Sequence, residues 1–151
     1  MIRKAFFPGS FDPFTIGHLS LVNRALALVD EVIIGIGVNE AKNSLLPVSR
    51  RVAYIEQVFK EEKRVRVVKY DELTVEAARN EGADFMLRGL RNSRDFEYER
   101  EIAETNRMLE GIETILLFSE PALAHISSSM VRELSRFGRN IDNYIPIPLE
   151  G

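Results

Sequence analysis

The 151-residue sequence contains no cysteine and only two histidines. Without thiols there is no disulfide, no thiolate nucleophile, no cysteine-ligated zinc and no iron–sulfur cluster, and an oxidising compartment is not needed. Two histidines and no H-E-x-x-H segment argue against a dedicated zinc site. Long apolar runs are missing as well. The stretch Val32-Ile33-Ile34-Gly35-Ile36-Gly37-Val38 falls far short of the ~20 residues that cross a bilayer. Arg3-Lys4 ahead of Ala5-Phe6-Phe7 has the opening of a signal peptide, but Pro8, Gly9, Ser10 and Asp12 interrupt the apolar region too early. The expectation is a cytoplasmic protein with no membrane partner. An excess of positive charge is absent too: 20 Lys+Arg stand against 23 Asp+Glu, for a net charge of −3. A nucleic-acid footprint would need the opposite sign, clustered on one face. A few convergent cations could still bind a small anion.

What remains is ordinary for a globular protein, with 45% hydrophobic and 28% charged residues and a mean hydropathy of −0.11. The chain, of 17.2 kDa, is about one domain long, and no linker, repeat or low-complexity tract divides residues 1–151. Ala5–Phe7 is a short buried strand, and Glu31–Val38 is β-branched and almost continuously apolar, as in a strand covered on both faces. Val65–Val68, Asp84–Leu87 and Thr114–Phe118 are further strands. Between them lie helical patterns: one from about His18, one capped by Ser49, one capped by Thr74, and a longer one from about Ser93 to Leu109 closed by Gly111. A last helix runs from Ser127-Ser128-Ser129 to Arg136 and stops at Gly138. Alternating strands and helices predict a doubly wound α/β domain, a parallel sheet of about five strands with helices on both faces.

Ligands of such sheets bind beyond the carboxyl ends of the strands. There the sequence places Ser10, Phe11 and His18 after the first strand, Lys42 after the second, and Leu73 and Thr74 after the third. Arg88-Gly89-Leu90-Arg91 follow the fourth strand, and His125-Ile126-Ser127-Ser128-Ser129 the fifth. Cations, hydroxyls and two helix N-termini on one edge make a polyphosphate site. Taken singly the pieces are weaker: a lone histidine is more often structural, a serine run is usually a cap, and Lys42 alone is a surface lysine. Arg88 directly follows apolar Met86-Leu87 and should point into the crevice. There is no G-x-x-x-x-G-K-[ST], and Gly35-Ile36-Gly37 begins no G-x-G-x-x-G. No acid pair follows the first strand and no nucleophile–base pair is visible. Transfer chemistry run by positioning and charge stabilisation is left.

Gly9-Ser10-Phe11-Asp12-Pro13 with Thr15-Ile16-Gly17-His18 resembles the T/HxGH signature of the nucleotidyltransferase superfamily. With Arg88-Gly89-Leu90-Arg91, Asp95-Phe96-Glu97-Tyr98-Glu99 and Ile126-Ser127-Ser128-Ser129, nearly the whole chain is similar to the bacterial phosphopantetheine adenylyltransferase family. That resemblance implies adenylyl transfer from ATP to 4′-phosphopantetheine, giving dephospho-coenzyme A and pyrophosphate, with Mg2+ held mainly by ATP phosphates and water. It implies His18 as the donor to the α-phosphate, with Lys42 and Arg91 as its catalytic companions. Ser10, Lys42 and Arg88 would hold the attacking phosphate, and Leu73, Thr74 and Asn106 would border the pantetheine arm. Arg91 and Ser127–Ser129 would take the outer phosphates, while Phe11, Gly89, Leu90, Glu99 and Leu123, Ala124, His125 and Ile126 would line the nucleotide. A homohexamer is implied as well. Two departures stand out: Ser10 replaces a frequent Thr, and Glu120-Pro121-Ala122-Leu123-Ala124 lacks an aromatic found near the adenine in some members. Two rival readings are a related transferase using nicotinamide mononucleotide or glycerol 3-phosphate, and a non-catalytic nucleotide sensor.

Overall fold

The computed structural model describes residues 1–38 and 44–150. Five strands, β1 (Lys4–Gly9), β2 (Glu31–Gly37), β3 (Val65–Tyr70), β4 (Phe85–Leu90) and β5 (Glu113–Phe118), form one sheet in the order β3-β2-β1-β4-β5. Every pairing is parallel. Helices α1 (Ile16–Ala25), α2 (Val48–Val58), α3 (Thr74–Asn80) and α4 (Ser93–Glu110) follow the first four strands, and α5 (Ser128–Arg136) follows β5. This is the doubly wound arrangement that the alternation of patterns predicts.

The core follows from the strand period of two. Register pairs Phe7 with Ile34, and Phe6 with both Ile33 and Met86. On one face Phe7, Ile34 and Leu87 pack with Val22 of α1 and Ile55 of α2. On the other, Phe6, Ile33 and Met86 pack with Val75 and Ala78 of α3. A third cluster joins Val131 of α5 to Ile126, Ile141 and Ile145. The C-terminal segment is pinned there by Tyr54, whose hydroxyl donates to Ile147 O at 2.7 Å and accepts from Ile147 N at 3.1 Å.

Element ends depart from the sequence reading, mostly at caps. Helix α1 begins at Ile16 rather than His18, because Thr15 is its N-cap. Pro47, not Ser49, occupies the N-cap position of α2, and no side chain caps it. Leu73, not Thr74, precedes α3, and the Thr74 hydroxyl bonds Tyr70 Oη at 3.0 Å instead. Strand β4 runs on through Leu90, which turns Arg88 and Gly89 from loop residues into strand residues. Asn92 caps α4 by accepting from Asp95 N at 3.0 Å, and Ser127 caps α5 by accepting from Met130 N at 3.1 Å.

Gly35 illustrates how tightly the two faces are matched. A Cβ there would lie 2.2 Å from the Phe6 ring, so Gly35→Ala should destabilise the fold by at least the ~1–3 kcal/mol of overpacking. Denaturant unfolding of the variant checks this, and an unchanged midpoint would mean that the ring moves freely.

Candidate active site

The winding of the sheet reverses between β1 and β4, where β1 contacts β2 on one side and β4 on the other. Loops leaving the carboxyl ends of these two strands separate there and open a crevice. A cleft of ≈ 360 Å³ lies at that point, within the roughly 300–1,000 Å³ of small-molecule sites. Its walls come from β1 and its loop (Pro8, Ser10, Phe11), α1 (His18, Arg24), β4 and α4 (Arg88, Gly89, Arg91, Glu99), and the approach to α5 (Leu123, Ile126, Ser127, Ser128).

His18 occupies the third position of α1 and closes a reciprocal cap with Thr15. Its backbone N–H donates to Thr15 Oγ1 at 3.3 Å, and the Thr15 N–H donates to His18 Nδ1 at 2.9 Å. Because Nδ1 accepts, the proton of the neutral ring is left on Nε2. The rings of Phe11, Phe14 and Phe7 surround it, at centroid distances of 4.9, 5.3 and 6.0 Å. Burial, reinforced by the charges of Arg91 and Arg88, pushes its pKa down from 6.5 to about 4. The site therefore holds a neutral imidazole that can donate through Nε2.

The two cleft arginines are held differently. Arg88 Nε and Nη2 grip the buried Glu99 carboxylate at 2.7 and 2.8 Å, and Nη1 donates to Pro8 O at 3.3 Å. Burial opposes the charge on Arg88, but the hydrogen bonds it donates to Glu99, together with the negative charge of that carboxylate, outweigh it and keep the guanidinium above its ordinary pKa. Arg91 is more exposed; its backbone N–H donates to Asp95 Oδ2 at 3.0 Å, while its Nε stands 3.5 Å from the same oxygen. Arg91 is thus the looser cation, and Arg88 the fixed one.

Not every residue singled out in the sequence reaches this cleft. Leu90, Ala124, His125 and Ser129 stand next to lining residues without being among them. Leu73 is solvent-exposed and Asn106 is buried on α4, both away from the cleft lining. Thr74 bonds Tyr70, which lines a second recess with Lys69, Asp71 and Arg51 at the ends of β2 and β3. Lys42 lies outside the described residues. Sequence reasoning overlooked Arg24, which donates to Phe118 O at 2.7 Å, and Glu120, which accepts from Ser20 Oγ at 2.9 Å; together they tie α1 to the end of β5 and the segment that follows it. Nothing in their local sequence marks them. It also missed the buried Arg51.

The cytidylyltransferase-like family model matches residues 6–134. The phosphopantetheine adenylyltransferase of Phocaeicola vulgatus is 54% identical over 145 residues, which cover 96% of each chain. The chain belongs to the phosphopantetheine adenylyltransferase family. The Bacteroides fragilis member is 52% identical over 99% of each chain. Among solved structures, a bifunctional NMN adenylyltransferase/ADP ribose pyrophosphatase from Francisella tularensis, complexed with AMP and manganese, superposes with a TM-score of 0.73 at 16% identity. The match covers 97% of this chain but 45% of that one, and shows a shared fold.

The cap makes a specific prediction for this family member. His18 should stay neutral from pH 5 to 8, with its proton on Nε2, in a ring-nitrogen NMR titration. Its folded pKa lies below the unfolded value, so the unfolded chain takes up this proton first as pH falls. The stability linked to His18 is complete above about 6.5 and is lost as pH falls toward about 4. A titration midpoint near 6.5 would mean that the ring is free of Thr15 and of its aromatic walls.

Proposed function

We propose that this cleft transfers the adenylyl group of ATP to 4′-phosphopantetheine, a step of coenzyme A biosynthesis. The observation that carries the reading is the neutral His18, its Nδ1 fixed by Thr15 and its Nε2–H free to donate, in a cleft shared with Arg88, Arg91 and the start of α5. An oxygen of the acceptor phosphate attacks the α-phosphorus of ATP, the bond from that phosphorus to the bridging oxygen breaks, and pyrophosphate leaves. The protein needs no nucleophile of its own. Negative charge grows on the non-bridging α-oxygens during attack, and a fixed donor there stabilises the transition state more than the ground state.

In this reading the Ser127 and Ser128 start of α5, with Ser129 and Arg91, takes the outer phosphates. Ser10, Arg88 and Lys42 hold the acceptor phosphate, and the pantetheine arm runs toward Leu73, Thr74 and Asn106. Phe11, Gly89, Leu90, Glu99 and the 123–126 segment border the nucleotide. Among the described residues no three His, Asp or Glu side chains cluster closely enough to cage a metal ion. In this reading Mg2+ arrives on the triphosphate and keeps its water ligands, as its reluctance to dehydrate favours. When bound, the cation neutralises phosphate charge. Exposed Met108, Leu109 and Phe118 suit burial between copies of the chain, and we read the enzyme as a cytoplasmic homohexamer of one catalytic domain; no described helix is long and apolar enough to cross a membrane.

Pyrophosphate release should be strong with ATP and 4′-phosphopantetheine and absent with nicotinamide mononucleotide or glycerol 3-phosphate; the reverse preference would replace the acceptor. His18→Ala should lower kcat by ~10²–10³ while ATP affinity, read by calorimetry, changes little. It should also lower the melting temperature, because the buried Thr15 N–H loses its acceptor, at a cost of about 1–3 kcal/mol. His18→Gln should recover the melting temperature, since Gln at this position completes a capping box, yet leave kcat low. Recovery of both would make His18 a capping residue alone.

A further inference from the structure

We propose that Asp12 and Arg51 form a positioning pair that locks the β1–α1 loop, with Ser10, to the 45–51 segment that borders the second recess. The inference rests on the proposed reaction. Both side chains are buried, 5% and 4% exposed. They are not hydrogen-bonded to each other: Arg51 Nε stands 3.9 Å from Asp12 Oδ1, beyond hydrogen-bond range. Each instead reaches across to backbone on the far side, and Arg51 also braces Leu46 on its own segment. Asp12 Oδ1 and Oδ2 accept the N–H groups of Leu46 and Leu45, both at 2.8 Å. Arg51 Nη1 donates to Ser10 O and Nε to Leu46 O, both at 2.9 Å.

Two chain segments distant in sequence are therefore cross-tied by two opposite charges inside the protein. Such a pair contributes little to stability over apolar residues of the same volume, since desolvation offsets the attraction. Its geometry instead fixes a distance. On one side lie Ser10 and Phe11, the latter held at φ +49°, a conformation non-glycine residues keep only when their surroundings impose it. On the other side, Leu45 follows Lys42 by three residues in sequence. Arg51 also lines the second recess beside Tyr70, the partner of Thr74. The tie thus bears most directly on Ser10 and on the recess beside Thr74, both assigned to the acceptor; Phe11, assigned to the nucleotide, shares the loop, and His18 is held separately by its cap with Thr15.

The test compares Arg51→Lys, Arg51→Met and Asp12→Asn in the full chain. Lys keeps the charge but lacks the planar fork that reaches two carbonyls at once. Asn keeps the shape but turns an amide NH2 toward one of the two backbone N–H groups. For Arg51→Met and Asp12→Asn, kcat/KM for 4′-phosphopantetheine should fall about 10²-fold, the loss expected when reacting groups shift by about 1 Å. ATP affinity by calorimetry should stay within about twofold of the parent, and Arg51→Lys should recover part of the acceptor loss. Equal weakening of ATP and acceptor, unchanged acceptor kinetics, or unfolding of all three variants would each overturn the proposal and leave the pair a folding element. A parent chain that binds ATP but does not turn over 4′-phosphopantetheine would overturn the proposed reaction itself, and the pair's role with it.

Discussion

Because β1 sits between β2 and β4 while the chain winds outward in both directions, the loops after β1 and β4 cannot cover the same ground. The gap they leave is where the cleft forms, and its chemistry follows from what those two strand ends carry. β1 ends in Gly9, where an added Cβ would lie 2.9 Å from the Phe11 ring, so the chain must be bare there for Phe11 to fold back over it. β4 carries Arg88 and Gly89 near its end, and a Cβ at Gly89 would press on Leu21 of α1 at 3.3 Å. The bare position on β4 thus lets α1 lie close to that strand through Leu21, while the one on β1 lets Phe11 fold back, where its ring meets His18 at 4.9 Å.

That placement explains the electrostatics. A histidine near two arginines and among three phenylalanines is kept neutral, and the same closeness lets the cap choose which nitrogen holds the proton. The arginines, in turn, are kept in place by acids rather than left free. Glu99 is buried and binds Arg88 in fork geometry, so neither charge could be removed alone without stranding the other, a change that typically costs about 3–5 kcal/mol. Asp95 holds Arg91 mainly through its backbone, leaving most of that guanidinium open. The cleft thus combines one cation of fixed position with one that can follow a ligand.

Much of this was legible in the sequence, and the reason is periodicity. The apolar runs of β1, β2 and β4, and the punctuation at Gly111 and Gly138, settle strands, order and helix ends; alternation of strand and helix then leaves few topologies. The motif residues Ser10, Phe11, His18, Arg88 and Arg91 cluster because they lie at or just beyond the carboxyl ends of β1 and β4, which is a local property. What was not legible is pairwise and distant. Arg88 was expected to face a ligand, and its bond to Glu99 depends on how α4 packs under β4. The reading that α1 begins at His18 failed because Thr15 and His18 cap each other, so a helix end and a candidate catalytic group share the same two residues. Ser49 and Thr74 looked like caps by type, but their hydroxyls are not aimed at their helix N-termini. Asp12 was visible within the motif, while its link to Leu45, Leu46 and Arg51 needs the fold.

The net charge of −3 also takes on meaning only in place. An acidic protein that handles polyphosphates must keep its negative groups from repelling them, and here the cleft carboxylates are engaged one by one. Glu99 binds Arg88, Asp95 accepts from Arg91 N, and Glu120 accepts from Ser20. With each acid hydrogen-bonded, the groups of the cleft left to meet an anion include the Arg91 guanidinium, the Nε2–H of His18 and the start of α5, where the dipole favours an anion. Among the described lining residues Arg24, Arg88 and Arg91 stand against Asp95, Glu99 and Glu120, so the cleft itself carries no excess of negative charge although the chain does. Steering by bulk charge would instead draw in every polyanion, including nucleic acid. A cleft whose charges balance, with its cations held at fixed places by its acids, offers an anion local contacts rather than a long-range field, and that follows from how the acids are paired rather than from how many there are.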